Sequence, residues 1–180
     1  MCSSDLVDLR ASRKKPSSVA ILDSQSHLTE LGSFYEDIEL MKLVDDLRPD
    51  LVAIGAPLNL PSGFCCLDQS CDCRFSVPDR KGRLLELELA KMGISCFYTN
   101  KGSIIRELIY RGILLSQNLR DAGYNVIEVY PHATKMLLFG DKVPPKNSAV
   151  SVSYMIGHLT PLVPGMEKHA DDLEIGRAHV

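Results

Sequence analysis

The hydrophobic pattern at the start of the chain predicts three short strands and a helix. Apolar residues cluster at positions 7–9, 18–22 and 27–31, and polar or turn-forming residues separate these clusters. Over residues 35–47 the apolar side chains recur every three or four positions instead. That spacing predicts an amphipathic helix, which should stop before Pro49.

The rest of the chain alternates between strand and helix patterns. Residues 51–54 are continuously apolar, as in a strand covered on both faces, and residues 126–130 form a second strand-like run. Helical periodicity predicts helices over residues 83–92, 103–122 and 132–139. Three hairpin strands followed by this alternation favour an α/β domain with a mixed sheet flanked by helices. Among small folds with this order of elements, the ribonuclease H-like fold fits best, with its C-terminal helix truncated.

The two ends of the chain look foreign to this pattern. Residues 1–6 and 175–180 resemble translated sequencing-adapter DNA, so we expect one domain over residues 7–174. A genuine polar N-terminus and a frayed C-terminus are the alternative.

The composition and charge of the chain bear on whether it binds polyanions or membranes. Twenty basic and 23 acidic residues give a net charge of −3, so charge alone does not favour nonspecific polyanion binding. No run approaches the about 18 apolar residues of a membrane span, and no leader-like segment precedes the first charges. We therefore expect a cytoplasmic protein with reduced thiols and no membrane partner. The composition does not indicate an oligomeric state.

Acidic residues at predicted strand ends suggest a metal site. Asp8 ends the first strand, and Glu128 lies inside an apolar strand, where a carboxylate is costly unless it is paired or binds a cation. Asp171 and Asp172 lie on a predicted last helix. Together these acids suit Mg²⁺ or Mn²⁺. A solvated Asp8, and a Glu128 on an open face of the sheet, are the alternatives.

Several short motifs carry a resemblance to a known family. They are Asp8-Leu9-Arg10-Ala11-Ser12, Ile54-Gly55-Ala56-Pro57-Leu58, Leu60-Pro61, Gly82-Arg83 with Glu86 and Glu88, Gly93-Ile94, Arg111-Gly112-Ile113 and Val126-Ile127-Glu128-Val129-Tyr130-Pro131. In this order they resemble the domain of unknown function 429 family, whose members are predicted nucleases of the ribonuclease H-like fold. The resemblance implies catalytic and metal-binding roles for Asp8, Glu128 and either Asp171 or Asp172, with Glu174 as an alternative last acid.

Position 55 departs from the family pattern. The family usually has aspartate there, so Gly55 removes the carboxylate expected at the end of the fourth strand. Either this copy is inactive or the sequence carries an error at this codon.

Basic residues near the predicted acids suggest substrate contacts. Arg10 belongs to a basic loop beside Asp8, which would attract a phosphate backbone or else is simply solvated. Arg83 and Glu86 are three residues apart on a predicted helix, so they form either a surface ion pair or part of the cleft.

Four of the six cysteines crowd into one loop. Cys65, Cys66, Cys71 and Cys73 are enough ligands for one zinc ion or an iron–sulfur cluster. The spacing differs from paired Cys-x-x-Cys knuckles, and adjacent Cys65 and Cys66 are expected to reach one ion only with strain. Free thiols or a redox-sensitive loop are the alternative.

These observations lead to one main prediction and two alternatives. The main prediction is a nuclease that hydrolyses phosphodiesters with two carboxylate-bound divalent ions, inactive in this copy if Gly55 or the truncation removes the site. The alternatives are a non-catalytic nucleic-acid- or protein-binding domain of the same fold, and a module that binds metal through its cysteine loop.

Overall fold

Five strands form one mixed sheet. The computed structural model describes residues 4–145, 148 and 150–169. The strands are β1 (Ser4–Asp8), β2 (Ser17–Leu22), β3 (Leu28–Phe34), β4 (Leu51–Ile54) and β5 (Val126–Glu128). Their order across the sheet is β3-β2-β1-β4-β5. β1, β2 and β3 pair antiparallel, whereas β4 pairs parallel with both β1 and β5, so the predicted α/β class with a mixed sheet is confirmed.

Five α-helices accompany the sheet in the described part of the chain. They are α1 (Asp37–Leu47), α2 (Leu84–Lys91), α3 (Arg106–Asp121), α4 (Pro131–Phe139) and α5 (Ser151–Leu159), with short 3-10 turns at Gly140–Lys142 and Met166–His169. Where α1 ends, Arg48 has a φ of 49° and its N–H bonds back to the Val44 carbonyl at 2.8 Å, so the helix stops before Pro49 as predicted. Within these residues, no helix is long and apolar enough to cross a bilayer.

The main core lies between one face of the sheet and helices α1 and α3. Val7 and Ile54 from the sheet are fully buried against Leu40 of α1 and Leu119 of α3. Side chains alternate along β1, so Val7 faces this core while Leu6 on the other face stays exposed. A smaller cluster joins α2 and α4 through Leu89 and Ala133.

β1 begins earlier than the sequence pattern predicts. Ser4 to Leu6 pair with both β2 and β4, so three residues set aside as foreign are part of the sheet. Asp5 points into the core, where it is 1% exposed and lies in register with Ile21 and Val52. Neither of its carboxylate oxygens has a hydrogen-bond partner among the described residues. Burial accordingly raises the pKa of Asp5 to about 6.

Candidate metal centre and strand edge

Three positions predicted to carry acids lie at one edge of the sheet. β1, β4 and β5 run parallel, so their carboxyl ends lie side by side. Asp8 is the last residue of β1, Gly55 follows β4, and Glu128 is the last residue of β5. The Gly55 N–H donates to the Val7 carbonyl at 2.7 Å, which holds the end of β4 against β1. The structure therefore places positions 8, 55 and 128 on neighbouring strands at this edge.

The two acids present at this edge point to opposite faces of the sheet. Glu128 is in register with Ile54, which is in register with Val7, so these three side chains share the core face. Asp8 follows Val7 and therefore points to the other face, where it is exposed. Asp8 and Glu128 thus leave the ends of their strands on opposite faces of the sheet.

Position 55 lies directly beside Asp8. A Cβ built on Gly55 would be 3.5 Å from Asp8 Oδ1 and 3.2 Å from the Val7 carbonyl oxygen. A carboxylate at this position would stand next to that of Asp8, whereas glycine offers only its backbone. A carboxylate introduced at position 55 would therefore form an acidic pair with Asp8 on this face.

Glu128 is engaged by an arginine rather than left open. Arg83 binds it through two parallel hydrogen bonds, from Nη1 to Oε2 and from Nη2 to Oε1, each at 2.6 Å. The Leu58 N–H donates to Glu128 Oε2 at 2.9 Å. Bidentate pairs of this kind are strong and geometrically specific. The Glu128 carboxylate is therefore held by protein donors.

Arg83 and Glu86 belong to the same buried network. Arg83 Nε donates to Glu86 Oε1 at 2.7 Å, and these side chains are only 9% and 4% exposed. Glu86 also accepts the Thr99 N–H at 2.7 Å and the Thr99 hydroxyl at 2.5 Å. The pair is therefore buried, and the surface ion pair considered as one alternative is wrong. Burial lowers the pKa of Arg83, but its bonds and attraction to Glu128 and Glu86 outweigh burial and raise that pKa overall.

The network forms the polar wall of a small cavity at the strand edge. The cavity measures about 140 Å³, and Gly55, Arg83, Glu86 and Glu128 contribute to its lining alongside mainly apolar side chains. Arg83 and Glu86 therefore lie near the predicted cleft. A role for them in substrate binding stays a prediction.

The basic loop after β1 is fixed through its backbone. The Arg10 carbonyl accepts a bond from Arg111 Nη1 at 2.6 Å, and the Arg10 N–H donates to Ser17 Oγ at 3.1 Å. Arg111 is buried and also binds Asp37 and the Tyr35 carbonyl. Arg111 lies in the motif Arg111-Gly112-Ile113, but nothing in the sequence indicated that it holds this loop.

The predicted last-helix acids cannot be placed at this edge. Asp171 and Asp172 lie outside the described residues, and the 3-10 turn before them ends at His169. Their predicted catalytic role is therefore untested.

The four cysteines of the loop converge on one point. The Sγ atoms of Cys65, Cys66, Cys71 and Cys73 all lie within 4.8 Å of one another. Cys65 Sγ is 3.4 Å from that of Cys71 and 4.0 Å from that of Cys66. Four thiolates around a tetrahedral zinc ion, with Zn–S near 2.3 Å, have sulfur–sulfur distances of about 3.8 Å. The adjacent Cys65 and Cys66 thus both reach the cluster, and the four cysteines could bind a metal such as zinc.

Tight turns bring these cysteines together. Asp68 Oδ1 accepts the Ser70 N–H at 2.9 Å, and the Asp68 carbonyl accepts the Cys71 N–H at 3.3 Å. Buried Leu67 anchors the turn, and its N–H donates to the Tyr110 hydroxyl of α3 at 2.6 Å. Gly63 closes the loop at a φ of 93°, and any Cβ there would be 2.2 Å from the Arg74 carbonyl oxygen.

The thiols influence one another strongly. A hydrogen bond with the Cys66 backbone is the main cause that lowers the pKa of Cys73 to about 6. Hydrogen bonds with Cys71, Cys73 and Cys66 raise the pKa of Cys65 to about 12. Cys73 thus loses its proton more readily than Cys65, whereas a bound cation would favour the thiolate form of every ligand.

Comparisons with protein-family models, curated proteins and solved structures find no match for the chain. The resemblance to the domain of unknown function 429 family therefore stays a prediction.

Proposed function

We propose that the chain binds one structural zinc ion through Cys65, Cys66, Cys71 and Cys73. The observation that carries this proposal is the convergence of four sulfur atoms within 4.8 Å. Zinc favours four thiolates in tetrahedral geometry, and a site with four protein ligands leaves no open position for substrate or water. The ion would therefore fix the loop rather than catalyse a reaction.

Other ions fit these ligands less well. Mg²⁺ and Mn²⁺ prefer oxygen ligands, which the cluster does not supply. An iron–sulfur cluster is several ångströms across, so its cysteine sulfurs stand further apart than those around a single ion. Because all four sulfur atoms lie within 4.8 Å of one another, the arrangement favours the single ion.

Metal analysis of the purified protein tests this proposal. Protein prepared without added metal should contain one equivalent of zinc, and Cys71→Ser should lose it. Cys96→Ser is the matched control, because Cys96 packs in the apolar cluster beside α2 and α4 and is not one of the four clustered cysteines. Cobalt titration of the wild type gives a second readout, with intense thiolate-to-cobalt charge-transfer bands expected. Iron, an absence of metal, or equal zinc in Cys71→Ser would each overturn the proposal.

We propose phosphodiester hydrolysis on a ribonuclease H-like fold as a second, ancestral function. Its support is the position of residue 55, whose Cβ would stand 3.5 Å from Asp8 Oδ1. The order of three strands, helix, strand, helices, strand and helix also agrees with this fold. In this proposal Asp8 and Asp172 or Asp171 would hold Mg²⁺ or Mn²⁺, which would supply activation of water and stabilisation of the leaving oxygen. Glu128 would contribute only after it released Arg83.

Restoring the carboxylate tests the second proposal. Gly55→Asp should create Mn²⁺ binding measurable by calorimetry, together with Mg²⁺-dependent cleavage of labelled DNA or RNA. Gly55→Asn is the control, because it adds the same volume without the charge. If Gly55→Asp folds and neither binds Mn²⁺ nor cleaves, the nuclease proposal fails.

A further inference from the structure

A second cavity lies beside the Cys loop, and its lining is both aromatic and basic. The cavity measures about 460 Å³, within the usual size range of ligand pockets. Phe64, Phe75 and Tyr98 supply aromatic surface, and all three residues are half-buried. The Phe64 and Phe75 ring centroids are 4.4 Å apart, so these two rings form one continuous apolar wall.

Four cations line the same cavity, although the chain as a whole is acidic. They are Arg74, Arg80, Lys81 and Lys101, and no Asp or Glu joins them in the lining. Arg74 has Asp72 at 3.9 Å, whereas Arg80 and Lys81 have no carboxylate within 4 Å among the described residues. This local excess of positive charge favours an anionic ligand.

The combination of rings and cations indicates a particular class of anion. Bases stack on exposed aromatic rings while Lys and Arg contact the phosphates, which is how proteins bind single-stranded nucleic acid. In a duplex the base faces are already stacked, so a duplex would contact the cations but not the rings. We propose that this pocket binds single-stranded DNA or RNA, with a base on the Phe64–Phe75 wall and phosphates on Arg80 and Lys81.

Backbone contacts connect this pocket to the residues at the carboxyl ends of β1, β4 and β5. The Asn100 amide donates to the Lys81 carbonyl at 2.9 Å, while the preceding residue, Thr99, binds Glu86 of the buried network. Lys81 is also only two residues before Arg83, which holds Glu128. A single-stranded nucleic acid bound in the pocket would therefore lie beside the predicted cleft.

The cysteines frame the pocket but are not its ligand-binding groups. Phe64 precedes Cys65, and Arg74 and Phe75 follow Cys73, which itself contributes to the lining. A zinc ion in the cluster would hold these segments in place. The nucleic-acid proposal goes beyond the zinc proposal, because it depends on the rings and cations rather than on the identity of the ion.

Fluorescence anisotropy with a short fluorescein-labelled oligothymidine tests this inference. The full chain should bind the oligonucleotide at low salt, and Phe75→Leu, which keeps an apolar side chain, should weaken binding about five- to 100-fold. Lys81→Ala should weaken binding and lower the slope of log affinity against log salt by about 0.7, as for one lost phosphate contact. Lys42→Ala is the matched control, because Lys42 is an exposed lysine of α1 outside the pocket.

The oligonucleotide-binding results test the pocket proposal independently of whether the protein binds zinc. No binding at low salt, an equal loss in Lys42→Ala and Lys81→Ala, or an unchanged affinity in Phe75→Leu would overturn it. Preference for duplex DNA, or equal competition by an acidic peptide, would also overturn it, because either result would show binding to charge without base stacking. Zinc measured on the same samples separates the two proposals: zinc without oligonucleotide binding refutes only the pocket, and binding without zinc refutes only the metal centre.

Discussion

Asp5 gives a sharp prediction about stability, because a carboxylate occupies a core position of β1. Its pKa of about 6 in the folded chain exceeds the ordinary value of 3.8. The folded state therefore binds the proton more tightly than the unfolded state does. The stability associated with the protonated form is fully present below pH 3.8 and is lost as the pH rises through about 6. Above that pH the charged group lowers the free energy of unfolding by about 3 kcal/mol.

Asp5→Asn isolates this effect, because asparagine keeps the shape of the protonated acid without its charge. We expect Asp5→Asn to raise the free energy of unfolding by about 3 kcal/mol at pH 7.5 and to change it little near pH 4. Asp5→Val should stabilise the chain at both pH values, because it also adds apolar contact with Ile21 and Val52. Urea unfolding followed by circular dichroism across this pH range measures the difference.

A matched substitution of an exposed acid shows whether removing any negative charge changes the free energy of unfolding. Asp46 is exposed on α1, so Asp46→Asn should change the free energy of unfolding by less than about 0.5 kcal/mol at either pH. A gain in Asp5→Asn that is the same at both pH values, or a loss at pH 7.5, would show that Asp5 is not held in an apolar site.

Three further predictions concern the strand edge and its supports. Arg83→Ala should lower the free energy of unfolding, measured by urea titration, by about 3–5 kcal/mol, because it leaves Glu86 and Glu128 without their cation. Adding Glu128→Gln to this variant should recover part of the loss. Gly112→Ala should lower the melting temperature by an amount equivalent to about 1–3 kcal/mol, since its Cβ would be 2.7 Å from the Pro57 carbonyl oxygen. An unchanged melting temperature would mean that α3 can move away from the loop after β4. Tyr110→Phe should leave the buried Leu67 N–H without its acceptor and so weaken zinc retention in a chelator competition; retention equal to that of wild type would contradict this role.

Much of the fold follows from local patterns in the sequence. The predicted helices and strands agree with the structure within about three residues, because helical and strand periodicity report which face of an element is buried. β3 extends beyond its apolar run to Phe34, since Gly32 and Ser33 pair with β2 through their backbones, whatever their hydropathy. Ser4–Leu6 join β1 for the same reason.

The site was less predictable, because its partners are distant in sequence. The bond between Arg83 and Glu128 spans 45 residues, and no spacing rule relates the two positions. Strand ends did locate positions 8, 55 and 128, but alternation put Asp8 and Glu128 on opposite faces. The cysteine spacing indicated a metal, whereas the turn around Asp68 that lets adjacent thiols converge depends on three-dimensional contacts.

One turn of α3, residues 110–112, contacts three loops and should couple their motions. Tyr110 holds the Cys loop, Arg111 holds the loop after β1, and Gly112 allows the loop after β4 to approach closely. Three separate loops thus share one helical turn as their common support. Hydrogen exchange should therefore change together in all three when this turn is perturbed, and a ligand that orders one loop should slow exchange in the other two.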